Sequence, residues 1–313
     1  MPETVVRPGP GSGADRYAGD RAEGSHRPGA GARRRPGWPR WLGGRSRRPS
    51  PLHLLLVPLA VVMLAPLGWM FLLSISTQEE ARRFPPGLPG GVHWQNYTKA
   101  WSEGPFAHWL LNSTVVSVAC VVGNLVLCSL AGYAFARIRF FGSRLLFVAV
   151  LATLMVPFQI LMLPTLIIVR QLHLVDTLGA LMAPNLATPF GVFLMRQFFT
   201  TVPQELEEAA RIDGAGRLRT LVRVLLPLMG PTLATLSALT FLQVWNDFLW
   251  PLIAIQSPGN MTVQLGLQNF QGSHQTNWPV LMAGTVTSQL PVLVLFLLAQ
   301  RFFVRSIATS GFR

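Results

Sequence analysis

The chain has 313 residues, half of them hydrophobic and only 12% charged, far below the ~25% usual in soluble domains, so it reads as a polytopic membrane protein. The formal net charge of +13 does not mark a nucleic-acid binder, because the basic residues gather in the first 51 residues and in short segments beside apolar runs. Every basic residue except Lys99 is Arg, for which coding bias is a sufficient reason.

Residues 1–51 are rich in Gly, Pro and Arg and poor in apolar side chains. Such a stretch cannot bury enough surface to offset its chain entropy, and it is expected to be a disordered, basic cytoplasmic tail. It does not read as a signal peptide: the leader is too long, and the apolar run after it is long enough to span. The cluster Arg33, Arg34, Arg35, Arg40, Arg45, Arg47 and Arg48 suits a topology signal or anionic headgroups. A dispensable extension is the blander reading.

Six apolar runs follow, at about 52–75, 109–135, 145–169, 178–199, 228–255 and 280–304. Each is near or above the ~20 residues a helix needs to cross the hydrocarbon core. They lack the period-two alternation of a barrel. The expected fold is therefore an all-α membrane protein, with six transmembrane helices making one domain over 52–313. With the N-terminus inside, all Lys and Arg except Arg82, Arg83, Lys99 and Arg170 fall on the cytoplasmic side, and so does the C-terminus. Pro157, Pro164, Pro184, Pro189 and Pro251 are expected to kink or break their spans.

Between the fourth and fifth runs lies a charged island, 205–227, ELEEAARIDGAGRLRTLVRVLLP. It predicts two short helices joined by a sharp turn. Pro203 suits a first helical position, with Thr200 or Thr201 as a cap. Glu205, Glu207 and Glu208 sit where the helix dipole favours negative charge, and Glu207 stands four before Arg211 as a surface pair. Asp213-Gly214 stops the first helix. Leu218, Leu221, Val222 and Leu225 make one apolar stripe on the second, and Pro227 ends or kinks it. An object this short cannot fold alone, and its apolar and charged faces suit a docking element. A plain amphipathic connector is the bland alternative. A DNA-binding helix-turn-helix has a related outline, but both flanks run straight into membrane.

Glu208-Ala209-Ala210, Asp213-Gly214-Ala215 and Leu226-Pro227 resemble, in type and spacing, the EAA loop of ABC importer permeases. The likeness extends over about 52–313. Asn112-Ser113, the run Met155 to Gln159 (MVPFQ), the run Trp245 to Leu252 (WNDFLWPL) and Gln300 to Arg305 (QRFFVR) are similar to segments of the carbohydrate, maltose G-type, permeases. The chain ends in Ser310-Gly311-Phe312-Arg313 where that subfamily has a different terminus.

The resemblance implies a permease subunit in a bacterial cytoplasmic membrane, in contact with membrane lipid and not with nucleic acid. It implies translocation of a sugar or oligosaccharide delivered by an extracytoplasmic binding protein. The partners implied are a second homologous permease and two cytoplasmic ATPase subunits, which use ATP while this chain binds no cofactor. The eight island residues Glu208, Ala209, Ala210, Asp213, Gly214, Ala215, Leu226 and Pro227 are then the ATPase-coupling set, in a cytoplasmic loop between spans four and five. Permeases for polyols, glycerol phosphate, amino acids or peptides are the nearer alternatives. An ion-coupled secondary carrier is the farther one, with Asp247 its one intramembrane acid.

No phosphate loop, nucleophile elbow or metal spacing is present, and Cys120 and Cys128 stand too far apart on one helix to bridge. No catalytic residue is expected. Asn112, Gln159, Trp245, Asn246 and Asp247 are candidates for the substrate path. The competing reading makes these polar groups packing glue between spans, as for Asn124, Asn185 and Gln243, with Asp247 closing a helix–helix hydrogen bond and Trp245 and Trp250 as interfacial belt residues.

Overall fold

The computed structural model describes residues 52–84, 87–271 and 276–310, without the side chains of 52, 53, 299 and 301–310. The basic tail, 1–51, and the terminal Gly311, Phe312 and Arg313 lie outside the described residues.

Helices dominate, and no strand forms among the described residues beyond an isolated bridge between Gln271 and Thr276. In order they are α1 (Leu52–Ser74), α2 (Gln78–Arg82), α3 (Gln95–Ser102), α4 (Phe106–Arg137), α5 (Ser143–Thr153), α6 (Phe158–Gln171), α7 (Leu178–Met182), α8 (Pro189–Thr201), α9 (Glu205–Ile212), α10 (Arg217–Thr220), α11 (Leu226–Leu228), α12 (Gly230–Trp245), α13 (Leu249–Ala254), α14 (Val263–Leu267) and α15 (Trp278–Ser310). Among the described residues, four segments are long and apolar enough to cross a membrane: Leu54–Ser74, Phe106–Arg137, Leu178–Thr201 and Trp278–Leu298. Two further pairs qualify only if a sharp bend is allowed within one span, α5 with α6 at 106° and α10–α11 with α12 at 85°.

The expected third and fifth runs are thus not single rods. In the third, Pro157 cannot donate a backbone N–H and disfavours helix at Val156, so the chain turns at 154–157. In the fifth, the helix bends at Met229, just after Pro227, and stops again at Asn246, whose amide caps back onto the carbonyl of Leu242 at 2.8 Å. Pro184 sits in a 3-10 turn and Pro189 opens α8, so the fourth run is also interrupted. Pro164 and Pro251 lie inside α6 and α13.

The centre of the bundle is the packing of α4 on α8. Gly132 lets α4 approach the backbone of Met195 and Arg196, and Gly123 does the same against Leu186. Asn124, fully buried, joins them. Its side-chain oxygen accepts from the Thr188 hydroxyl at 2.7 Å and the Thr188 N–H at 3.1 Å. Its amide donates to the carbonyls of Asn185 at 2.7 Å and Cys120 at 3.0 Å. One side chain so satisfies backbone groups that the break before α8 leaves without helical partners.

One end of the bundle is closed by an aromatic cluster. Trp109, 1% exposed, lies across Gly266 and between Phe106 and Phe270, and its indole donates to Pro258 O at 2.9 Å. Asn96 of α3 donates to the carbonyls of Ser74 and Ser76, each at 2.9 Å, which ties α3 to the end of α1. Gln78 of α2 bonds Thr276 O and Trp278 N at the start of α15.

A Cβ at Gly132 would stand 2.7 Å from Met195 Cβ and 2.8 Å from the Arg196 nitrogen. Gly132→Ala is therefore expected to destabilise the subunit by about 1–3 kcal/mol, as overpacking does. Gly216→Ala, with nothing within 4 Å of its Cβ position, should stay within about 0.5 kcal/mol of wild type. Thermal unfolding in detergent compares the two.

Candidate functional site: the charged elbow and its seat on the bundle

The island folds as two helices with a sharp turn, and its details differ from simple spacing. α9 begins at Glu205, and Gln204 precedes it without a side-chain cap. Thr200 and Thr201 still belong to α8, where their hydroxyls bond the carbonyls of Gln197 and Phe198. Pro203 lies before the helix rather than at its first position, so the expected cap is replaced by an additional turn.

The stop is well defined. Gly214 has φ +78°, the left-handed region that glycine occupies without a Cβ penalty. Its N–H bonds Arg211 O at 2.9 Å, and the N–H of Ala215 bonds Ala210 O at 2.8 Å. These are the two bonds of a Schellman ending. Asp213, Glu208 and Ala209 are exposed beside the turn, and Ala210 is buried under it.

The second helix does not carry the expected four-residue stripe. Residues Leu221–Leu225 form a π-helical turn, which takes one extra residue per turn and rotates what precedes it. Leu221 and Leu225 are buried at 2% and 0%, while Leu218 and Val222 are 64% and 51% exposed. The exposed pair lies with Gly214, Gly216, Arg219 and Arg223 along an open groove on the elbow. Leu226 is half-buried and Pro227 exposed, just before the bend into α12.

The largest departure is Glu207. It is buried and does not form the expected surface pair with Arg211. Its carboxylate contacts Arg137 Nε, the last residue of α4, at 2.6 Å, with both side chains 8% exposed. The contact is ionic and lacks hydrogen-bond alignment at those two atoms. The Tyr133 hydroxyl, one turn up α4, donates to the other carboxylate oxygen at 3.3 Å. Arg137 also donates to Val202 O, in the link between α8 and α9. Removing one partner of such a buried pair costs about 3–5 kcal/mol, because the other charge is left uncompensated. Beside it opens a polar cleft of about 360 Å³, lined by Arg137, Arg139, Glu207, Glu208, Arg211 and Arg217.

The substrate-path candidates divide. Asn112 is buried and spends both amide hydrogens on Gly259 O at 2.8 Å and Met261 O at 2.9 Å, which holds that loop. Trp245, 1% exposed, stacks on Phe241 and donates to Ser288 O at 3.1 Å. Trp250, also 1% exposed, donates to Ala180 O at 3.0 Å. Neither indole is an interfacial belt residue; both are core. Asp247, which precedes α13, accepts from the Trp250 N–H in its first turn at 3.3 Å, a local bond rather than one to another helix. Gln159 and Asn246 are exposed. The two motifs adjoin, since Phe158 packs edge-on against Trp250 with centroids 6.0 Å apart. A separate cleft of about 600 Å³ between α1, α12 and α15 is lined by Leu67, Phe71, Leu239, Leu242, Leu290 and other apolar groups, and offers a polar solute little beyond Gln289.

Residues 126–309, which contain the whole elbow and its seat, match the family described as binding-protein-dependent transport system inner membrane component. The chain belongs to that family. The permease is 37% identical over 224 residues to the arabinooligosaccharides transport system permease protein AraQ of Halalkalibacterium halodurans, covering 71% of this chain and 80% of the relative. It is 35% identical over 267 residues to the sn-glycerol-3-phosphate transport system permease protein UgpE of Yersinia pestis, covering 82% and 95%. Its fold superposes with TM-score 0.72 and 25% identity on a chain of a bacterial ABC transporter involved in the import of the acidic polysaccharide alginate, covering 80% and 94%.

Sequence reasoning had no sign of one further cluster, around Asp176, between α6 and α7. Its carboxylate accepts from the Ser257 hydroxyl, the Ser257 N–H at 2.8 Å and the Gln256 N–H at 2.9 Å. These bonds hold its pKa down from the usual 3.8 to about 2. A depressed carboxyl stabilises the folded loop above the unfolded value and loses that effect as pH falls through the folded one. The 255–260 loop is therefore expected to stay closed down to about pH 4 and to loosen between there and about 2. At neutral pH, Asp176→Ala should speed hydrogen exchange at Gln256 and Ser257 and leave α4 unchanged.

Proposed function

We propose that this permease is the six-span translocating subunit of an ABC importer for a sugar or oligosaccharide, and that the α9–Gly214–α10 elbow docks it to a cytoplasmic ATPase. The observation that carries the docking role is the elbow itself. It presents exposed Glu208, Asp213, Leu218 and Val222 on a rigid Schellman turn, at the bundle end that also carries Arg137, Arg139, Arg144 and Arg196. That concentration of Arg supports a cytoplasmic position, with both termini inside. Taking each bent pair as one span supports a count of up to six, with α9 and Gly214 just ahead of the fifth.

In this reading a binding protein delivers solute at the opposite end, and a second homologous permease completes the path. Two ATPase subunits use ATP, and their closure moves the elbow as a rigid body. Gly214 provides the turn, Glu208 and Asp213 the polar contacts, and the small Ala209 and Ala215 the close fit, with Ala210 packed under the turn and Leu226-Pro227 ending the lever. The solute path runs by the junction of the Gln159 and Asn246–Asp247 segments, which Asn112 and Trp245 support from the core. The names of AraQ and of the alginate transporter support a saccharide. A polyol phosphate is the second reading, favoured by the long match to UgpE.

A β-branched residue at φ +78° is strongly disfavoured, so Gly214→Val should deform the elbow without touching the spans. Detergent-solubilised wild type is expected to co-purify with a second permease, an ATPase and a binding protein, and Gly214→Val to lose the ATPase and solute uptake. A mutant with full uptake would sink the docking role. A wild-type chain that comes down alone and transports in liposomes without ATP would sink the importer reading. Stimulation of ATP hydrolysis by a neutral oligosaccharide, against glycerol phosphate, separates the two solutes.

A further inference from the structure

We propose that the Arg137–Glu207 pair is the joint through which the elbow moves α4, which makes Arg137 and Glu207 positioning residues for transport. This rests on the importer reading above.

Besides the short link from α8 at 202–204, two connections lead from α9 into the bundle. One is covalent, through α10 and α11 to α12. It contains a π-helical turn at Leu221–Leu225 and an 85° bend at Met229, so a push along it meets two places where the backbone departs from a straight helix. The other is the buried contact of Glu207 with Arg137 and Tyr133. It reaches α4, which runs unbroken for 32 residues without an internal proline.

α4 in turn is fastened to α8 by Gly123, Asn124 and Gly132, and to the outer loop by Asn112. Displacement of α9 therefore passes along α4 to the far end, where Asn112 holds Gly259 and Met261. Arg137 also donates to Val202 O, so the same guanidinium fixes the link between α8 and α9. One guanidinium so holds both α9, through Glu207, and the segment before it, through Val202.

The test uses the assembled importer, purified from its native membrane and reconstituted in liposomes, with solute moved per ATP hydrolysed as the readout. Glu207→Gln and Arg137→Gln are expected to keep the ATPase subunit bound and to lower that ratio about tenfold, a usual size for coupling between sites. The exchange of both, Arg137→Glu with Glu207→Arg, should restore part of it, the ion pair returning while the bond from position 137 to Val202 O does not. Single variants that stay within about twofold of the wild-type ratio would overturn the joint and leave the importer reading intact. Loss of the ATPase subunit from both single variants would also overturn it, by making the pair a folding contact. A wild-type complex that hydrolyses no ATP would instead remove the reading beneath it.

Discussion

Everything in this subunit hangs on the close approach of α4 and α8, and on the buried amide that makes the approach tolerable. A span broken at Ala183–Asn185 leaves backbone groups that lipid cannot satisfy. Asn124 takes them up from the neighbouring helix, and Gly123 and Gly132 bring that helix near enough. Without the amide the break would be costly, and without the glycines the amide could not reach. Small residues and a polar hub are what helix association in a membrane relies on, since burial of apolar surface alone gives little advantage there.

The two ends of the bundle solve different problems. At one, aromatic side chains and short helices pin loops: Trp109 on Gly266, Asn96 on the end of α1, Asp176 under residues 256–257. At the other, the chain leaves the spans as a short elbow whose turn needs φ +78° and whose root is a buried ion pair. The first end is held by many backbone hydrogen bonds. The second is held by a buried apolar cluster that includes Tyr133, Phe199, Val202, Leu221 and Leu225, with one ion pair set into its edge.

Much of this was legible in the residues. Composition pointed to the membrane class, and the length of the apolar runs to helices. The Asp213-Gly214 stop was legible because glycine alone takes the left-handed conformation freely, so its position in a polar run announces a turn. The likeness to importer permeases rested on the spacing of that turn, and family membership agrees with it. Glu207 was not legible, because helix spacing points to Arg211, whereas the real partner Arg137 is distant in sequence and near only in the fold. The tryptophans misled for a similar reason: an indole beside polar residues suggests an interface, yet Trp245 and Trp250 find backbone carbonyls inside the core. The apolar stripe of α10 failed because period-3.6 counting assumes a regular helix.

The π-helical turn at Leu221–Leu225 has a bearing on how this protein can change over time. Substitutions there alter a side chain, but loss of one residue would restore an ordinary helix and swing the elbow by about 100° about its axis. Between Gly214 and Pro227 a change of length would therefore disturb more than a change of an exposed side chain, because every residue before the change would turn with it, whereas Leu221 and Leu225 stay tied to the core by burial.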